Sequence, residues 1–239
     1  MKILDINVDN LNYQQTLEAI RDLIKGGGKH YIVTTNPEMV VQSLTDKNFA
    51  EILNGADLSV ADGWGIVWAS RILGQPLSER VAGVDLMYGM SLLASQEGYS
   101  VFLLGGEEKV AEEAAQKLAK VLPNLKIAGA YSGSPNEKDD DQSIEMLNSN
   151  KMDILFVAFG AGKQEKWIAR NIDKIPAKVA IGVGGAFDYL SERKKRAPRA
   201  VQKVGLEWLY RLAREPWRWR RQLVLPYFAY KILRQRIKI

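Results

Sequence analysis

Five short stretches hold the residues able to do chemistry, and most of them follow a β-branched run. TTNPE, residues 34–38, sets Thr34 and Asn36 before Pro37. Asn36 can cap a helix that Pro37 opens. A helix N-terminus with hydroxyl donors beside it is equally a cradle for a sugar or phosphate. ADGWG, residues 61–65, places Asp62 at a strand end with Gly63 and Gly65 beside it. That is where a catalytic carboxylate would sit, and the glycines let backbone approach a ligand; an Asp cap followed by a Gly turn reads equally well. AGKQEKW puts Gln164 in the first turn of a helix, and VAIGVGGAFD leads through Gly182, Gly184 and Gly185 to Asp188. So many glycines at a strand end imply tight packing or a ligand, and Asp188 can accept from a ribose or base. A simple tight turn is the rival. Gly105 and Gly106 resemble a nucleotide turn but lack the G-x-G-x-x-G spacing. Glu107 and Glu108 behind them disfavour a diphosphate, so this unit reads as structural or as one wall of a site.

Composition removes several chemistries. There is no cysteine, hence no disulfide, thiolate metal site or cysteine nucleophile. The single histidine, His30, has no second imidazole to share a metal with and reads as a surface or edge residue. Asp139-Asp140-Asp141 contains the D-x-D pattern of metal-dependent sugar transferases, but it opens a helix, where acids act as caps. No metal site is expected.

The last part of the chain differs from the rest. Residues 193–239 hold 15 Lys+Arg and 2 Asp+Glu, a net +13, whereas residues 1–192 are −8. Leu206, Leu209, Tyr210, Ala213 and Trp217 form an apolar stripe at helical spacing. Arg211, Arg214, Arg218 and Arg221 fall near one helical face, subject to a break at Pro216. Basic residues among Trp217, Trp219, Tyr227, Phe228 and Tyr230 suit an anionic membrane surface, and arginine forks bind diphosphates. A nucleic acid is the competing polyanion, disfavoured by the acidic body. A solvated helical face is the plain alternative.

These groups must be positioned by alternating strands and helices. Strands are expected at Ile3–Val8, Tyr31–Thr35, Leu58–Ala61, Ser100–Leu104, Lys126–Ala130, Ile154–Phe159 and Val179–Val183. Helices are expected near 13–25, 37–54, 64–73, 84–97, 107–121, 139–149 and 162–173. Near-continuous apolar strands between helices imply an α/β fold, a Rossmann-like mostly parallel sheet with helices on both faces. Ligands then bind at the carboxyl ends of the strands. Residues 1–192 are expected to form this domain and 193–239 a basic helical appendage. No stretch is long and apolar enough for a spanning helix. The opening MKILDINVDN has no apolar signal segment, so a cytoplasmic setting is expected.

A resemblance joins the fragments. TTNPE (34–38), ADGWGI (61–66), RVAGVDL (80–86), FGAGKQEKW (159–167), GVGGAFDYLSERKKRAP (182–198) and GLEWLYRLAREPWRWRRQ (205–222) occur in one order along nearly the whole chain. Together they resemble the WecG/TagA/CpsF family of bacterial glycosyltransferases. One departure is Gly160-Ala161-Gly162, where this family often carries a proline.

The resemblance implies transfer of N-acetylmannosamine from UDP-N-acetylmannosamine to undecaprenyl-diphosphate-linked N-acetylglucosamine, with inversion, in wall teichoic acid linkage-unit synthesis. The UDP-sugar is a substrate and no cofactor is implied. Asp62 is then the expected base, with Thr34, Asn36 and Gln164 positioning the donor. Arg80 and Asp85 would line the cleft, and Gly184, Gly185 and Asp188 would border the nucleotide. Arg211, Arg218 and Arg221 would meet leaving-group charge, closing over the site from a peripheral position on the inner membrane face. A uronic-acid or glucose-type donor is the near alternative. A nicotinamide enzyme, a nucleic-acid binder and a scaffold are the distant ones. The sequence leaves the oligomeric state open.

Overall fold

The computed structural model describes residues 1–237, apart from the side chains of Lys203 and Arg218. The chain opens with two short strands, β1 (Lys2–Ile3) and β2 (Ile6–Asn7), paired antiparallel. Leu4 and Asp5 between them both have positive φ, 47° and 69°. That is the backbone of a tight two-residue hairpin turn. One continuous strand over Ile3–Val8 was expected; the turn breaks it, and the hairpin stands outside the main sheet.

The alternation then runs α1 (Tyr13–Gly26), β3 (His30–Thr35), α2 (Pro37–Ser43), α3 (Lys47–Asn54), β4 (Leu58–Ala61), α4 (Trp64–Ile72), α5 (Gly83–Glu97), β5 (Ser100–Gly105), α6 (Val110–Val121) and β6 (Lys126–Tyr131). It continues through α7 (Asp140–Asn148), β7 (Ile154–Ala158), α8 (Lys163–Asn171), β8 (Val179–Gly182) and α9 (Ala186–Leu190). The helix expected over 37–54 is two. Asp46 caps the second by accepting from Phe49 N at 3.0 Å, which restarts the chain in a new direction.

The six strands β3–β8 form one parallel sheet in the order β4-β3-β8-β7-β5-β6. The order reverses direction between β3 and β8, so the crevice of this fold opens at their carboxyl ends. Successive strand residues feed opposite faces. Ile32, Val101 and Ile181 pack under α1, α5, α6 and α9 with Leu86, Met90 and Phe187. On the other face, Val33 meets Met39, Phe49 and Ile66, while Leu155 and Val157 meet Trp167 and Ile168 of α8.

The basic segment folds as α10 (Arg199–Lys203), α11 (Glu207–Arg214), α12 (Trp219–Gln222) and α13 (Val224–Ile237), with a 3-10 turn over Pro216–Arg218. Pro216 does break the helix, so the arginine series is not one continuous face. The last helix belongs to the body's packing. Phe228 and Ile232 are buried among Ile3, Ile6 and Ile66, and Gln235 Oε1 accepts from Leu4 N at 3.0 Å. No described helix is long and apolar enough to cross a membrane.

Candidate active site

A cleft of about 790 Å³ lies at the reversal point of the sheet, lined by the ends of β3, β4, β7 and β8 and roofed by α11 and α12. Thr34 and Thr35 end β3. Thr34 Oγ1 donates to Gly182 O at 3.2 Å, which ties β3 to β8 beneath the cleft. Thr35 shares a buried hydroxyl contact with Ser59 at 2.7 Å and is structural. Asn36 caps α2, its Oδ1 accepting from Met39 N at 3.1 Å. Asn36 also lines the cleft, so capping leaves its amide NH2 within reach of that space.

Asp62 follows β4, with its backbone N–H bound to Thr35 O at 2.8 Å. Gly63 has φ +96°, and a Cβ on Gly65 would lie 2.6 Å from Pro37 Cγ. Those glycines let the α2 and α4 N-termini approach each other on either side of the carboxylate. Burial pushes the Asp62 carboxyl up to about 6, against the pull of Arg80, the Gly83 N–H and Arg211. A carboxylate in this state is ionised near neutral pH yet retains proton affinity.

Gln164 enters from α8 and is 2% exposed. Gly184, Gly185 and Asp188 form the wall after β8, and a Cβ on Gly185 would come within 3.1 Å of Arg211. Lys194 donates to Asp188 at 2.8 Å, so this carboxylate already has a cation. From the roof, Arg211 stacks 5.3 Å from the centroid of Tyr189, and Arg221 reaches Glu38 at 2.5 Å. Arg80 lines the cleft. The side chain of Arg218 lies outside the described residues.

Asp85 is not a cleft wall. It sits in the first turn of α5 and holds Arg196 by both oxygens, at 2.5 and 2.8 Å. This pairing, favoured by geometry and charge, turns it toward the start of the basic segment. Asp140 likewise departs from the capping expectation. It binds Arg170 through both oxygens at 2.5 and 2.9 Å, and neither it nor Asp139 caps α7 with its side chain. Among the described residues no acid–histidine group is arranged to hold a metal. His30 pairs with Asp57 at 2.7 Å at the strand's opening end.

Two acids were missed. Glu207 lines the cleft from α11 and lies between Arg80 and Arg196, 3.3 Å from each. It is one of only two acids in the basic segment, and its isolation was the available clue. Glu165 is buried beneath Gln164, and its place three residues after Gly162 lets its carboxylate reach back to the Gly162 N–H at the start of α8.

The chain matches the model of the family described as "Glycosyl transferase WecG/TagA/CpsF family" over residues 1–239. A relative from Staphylococcus aureus (strain MRSA252) is 35% identical over 239 residues, covering 99% of this chain and 93% of its own. Relatives from strains MW2 and NCTC 8325 / PS 47 are each 34% identical over the same span and coverage. All three are named N-acetylglucosaminyldiphosphoundecaprenol N-acetyl-beta-D-mannosaminyltransferase.

Proposed function

From the premise that the chain belongs to the WecG/TagA/CpsF family of glycosyltransferases, we propose that it moves N-acetylmannosamine from UDP-N-acetylmannosamine to undecaprenyl-diphosphate-linked N-acetylglucosamine with inversion. The observation that carries the reading is the pairing in one cleft of a proton-accepting Asp62 with a roof of arginines. An inverting displacement needs those two things together. The acceptor hydroxyl oxygen bonds to the anomeric carbon while the bond from that carbon to the β-phosphate oxygen breaks. The hydroxyl proton passes to Asp62, and UDP leaves with the bonding pair.

Thr34, Asn36 and Gln164 hold the sugar and its phosphates. Gly184, Gly185 and Asp188 border the nucleotide. Arg80 holds the cleft wall beside the base. Arg211 and Arg221 meet the charge on departing UDP, whose polarity a water-poor cleft makes count for more. The roof is also the membrane contact. Trp217, Trp219, Leu223, Tyr227 and Tyr230 are exposed next to the basic residues, a composition suited to an anionic headgroup layer. A lipid-linked acceptor then reaches the cleft from the surface on which the enzyme sits, the cytoplasmic face where UDP-sugars are available.

The test is UDP release from a panel of UDP-sugars with a short-chain lipid-diphosphate acceptor. UDP-N-acetylmannosamine should be preferred, and activity should survive a chelator because arginine supplies the positive charge. Preference for a uronic-acid or glucose-type donor would reassign the substrate. Loss of activity in EDTA, restored by magnesium, would replace the arginine role with a metal.

A further inference from the structure

One buried carboxylate has no part in the displacement. Glu165, in the first turn of α8, is 1% exposed. Its Oε2 accepts from Gly162 N at 2.7 Å, and its Oε1 accepts from Gln164 Nε2 at 2.7 Å. The second bond fixes how the Gln164 amide is turned. With its NH2 toward the carboxylate, its Oε1 accepts from Gly184 N at 3.0 Å. Three N–H donors and two side chains thus form an unbroken relay from the turn after β7 to the turn after β8. Gln164 and Gly184, at the relay's far end, both line the cleft.

The backbone is shaped around this relay. Gly162 and Gly184 have φ of +84° and +53°, where glycine is favoured. Gly182 faces the relay without a Cβ; one there would run into Gln164 Nε2 and lie 2.7 Å from Glu165 Oε1. The price of the arrangement is a desolvated acid: burial pushes Glu165 up to about 7, opposed only by hydrogen bonds from Gln164 and backbone N–H groups. An apolar side chain would avoid that penalty. What a carboxylate alone does here is accept two N–H bonds at once on two oxygens. A glutamine would turn its own NH2 against one of the donors.

We infer that Glu165 is a positioning residue that locks the Gln164 amide in one orientation and ties it to the Gly184 turn. The remaining Gln164 N–H is then offered to an oxygen of the donor's diphosphate. This rests on the UDP-sugar reading of the cleft.

The test is calorimetric UDP titration of the full chain with the near-isosteric Glu165→Gln, with Gln164→Ala, and with both together. Each single change should weaken UDP binding about tenfold, the scale of one lost charge-assisted hydrogen bond, and the double should be no weaker than Gln164→Ala alone. Additive losses, or a Glu165→Gln chain binding within about twofold of wild type, would overturn the inference. Donor KM should rise with the loss of affinity. Should Glu165→Gln not fold, amide exchange in the wild-type chain decides. Gly162 and Gly184 should be protected like the strands they follow, and rapid exchange at Gly184 would sink the relay. A wild-type chain that fails to bind UDP would instead remove the donor assignment, and the relay would be judged by exchange alone.

Discussion

Asp62 stands where burial and arginine charge pull in opposite directions, and its titration follows. Its carboxyl is pushed up to about 6 from an ordinary 3.8. As a base it works only when ionised, so UDP release is expected to rise through about pH 6 with the slope of one proton and then level. Stability runs the other way. Between the unfolded value and the native one, the native state holds a proton that the unfolded chain has released, so stability falls as pH rises across that window and stays reduced above it. Asp62→Asn should therefore abolish turnover, leave UDP affinity within about twofold, and raise the melting temperature at neutral pH by a few degrees, on the order of 1–3 kcal/mol. Turnover near wild type would remove Asp62 from the role of base. An acidic limb unmoved in every other active variant near it would assign that limb elsewhere. Asp62 was legible because a lone acid between a strand and a glycine stands out locally. Asp85 was not, because its fate is set by Arg196, 111 residues along the chain.

At the scale of elements, the segment from Arg196 to Phe228 is a strap fastened at both ends. Arg196 grips Asp85 at one end, and Phe228 and Ile232 are buried in the body's core at the other. Between them Trp64 Nε1 donates to Gln202 O at 3.0 Å, Gly205 packs on the Trp64 ring, and Arg221 meets Glu38. The strap also sets Glu207 in the cleft wall, where this largely buried acid holds Arg80 and raises Asp62 through space. Glu207→Gln should therefore shift the acidic limb of the rate profile to lower pH and lower kcat, because Arg80 loses its anionic partner. A limb that stays in place would show that Glu207 does not reach Asp62 electrostatically. Sequence periodicity located the main-sheet strands and most body helices, because a doubly covered parallel sheet writes itself as apolar runs between amphipathic ones. It missed the strap's course, which is decided by contacts such as Trp64 with Gly205, far apart in sequence and carrying no period.

Over the whole molecule the charge split, −8 in residues 1–192 and +13 beyond, gives the enzyme a basic face without a basic fold. Not all of that charge is available to a membrane. Arg196 is paired with Asp85, and Arg221 faces the cleft beside Glu38, whereas Arg220, Lys231 and Arg234 lie over the rings of Trp219, Tyr227 and Tyr230. Those rings are half exposed, so each pair offers an anionic headgroup a cation and an interfacial aromatic at once. A deletion of everything beyond about residue 195 would also remove α13, whose Phe228 and Ile232 pack in the body's core. Removing Phe228 alone, as Phe228→Ala, should destabilise by about 3–5 kcal/mol in thermal melting. Deletion therefore confounds folding with membrane contact, and charge substitution separates them. The triple change Arg220→Gln, Lys231→Gln, Arg234→Gln lies outside the cleft lining. It should weaken sedimentation with phosphatidylglycerol vesicles by roughly a hundredfold, at about 1 kcal/mol per charge near the surface. Wild-type binding should weaken as salt rises past the point where the Debye length falls below about 8 Å. Turnover of a short-chain acceptor in solution should be unchanged in the triple variant, because the arginines that face the cleft are untouched. Vesicle binding that resists both salt and these substitutions would mean that the exposed Trp217, Leu223 and Tyr227 carry the attachment by insertion, with charge only orienting it.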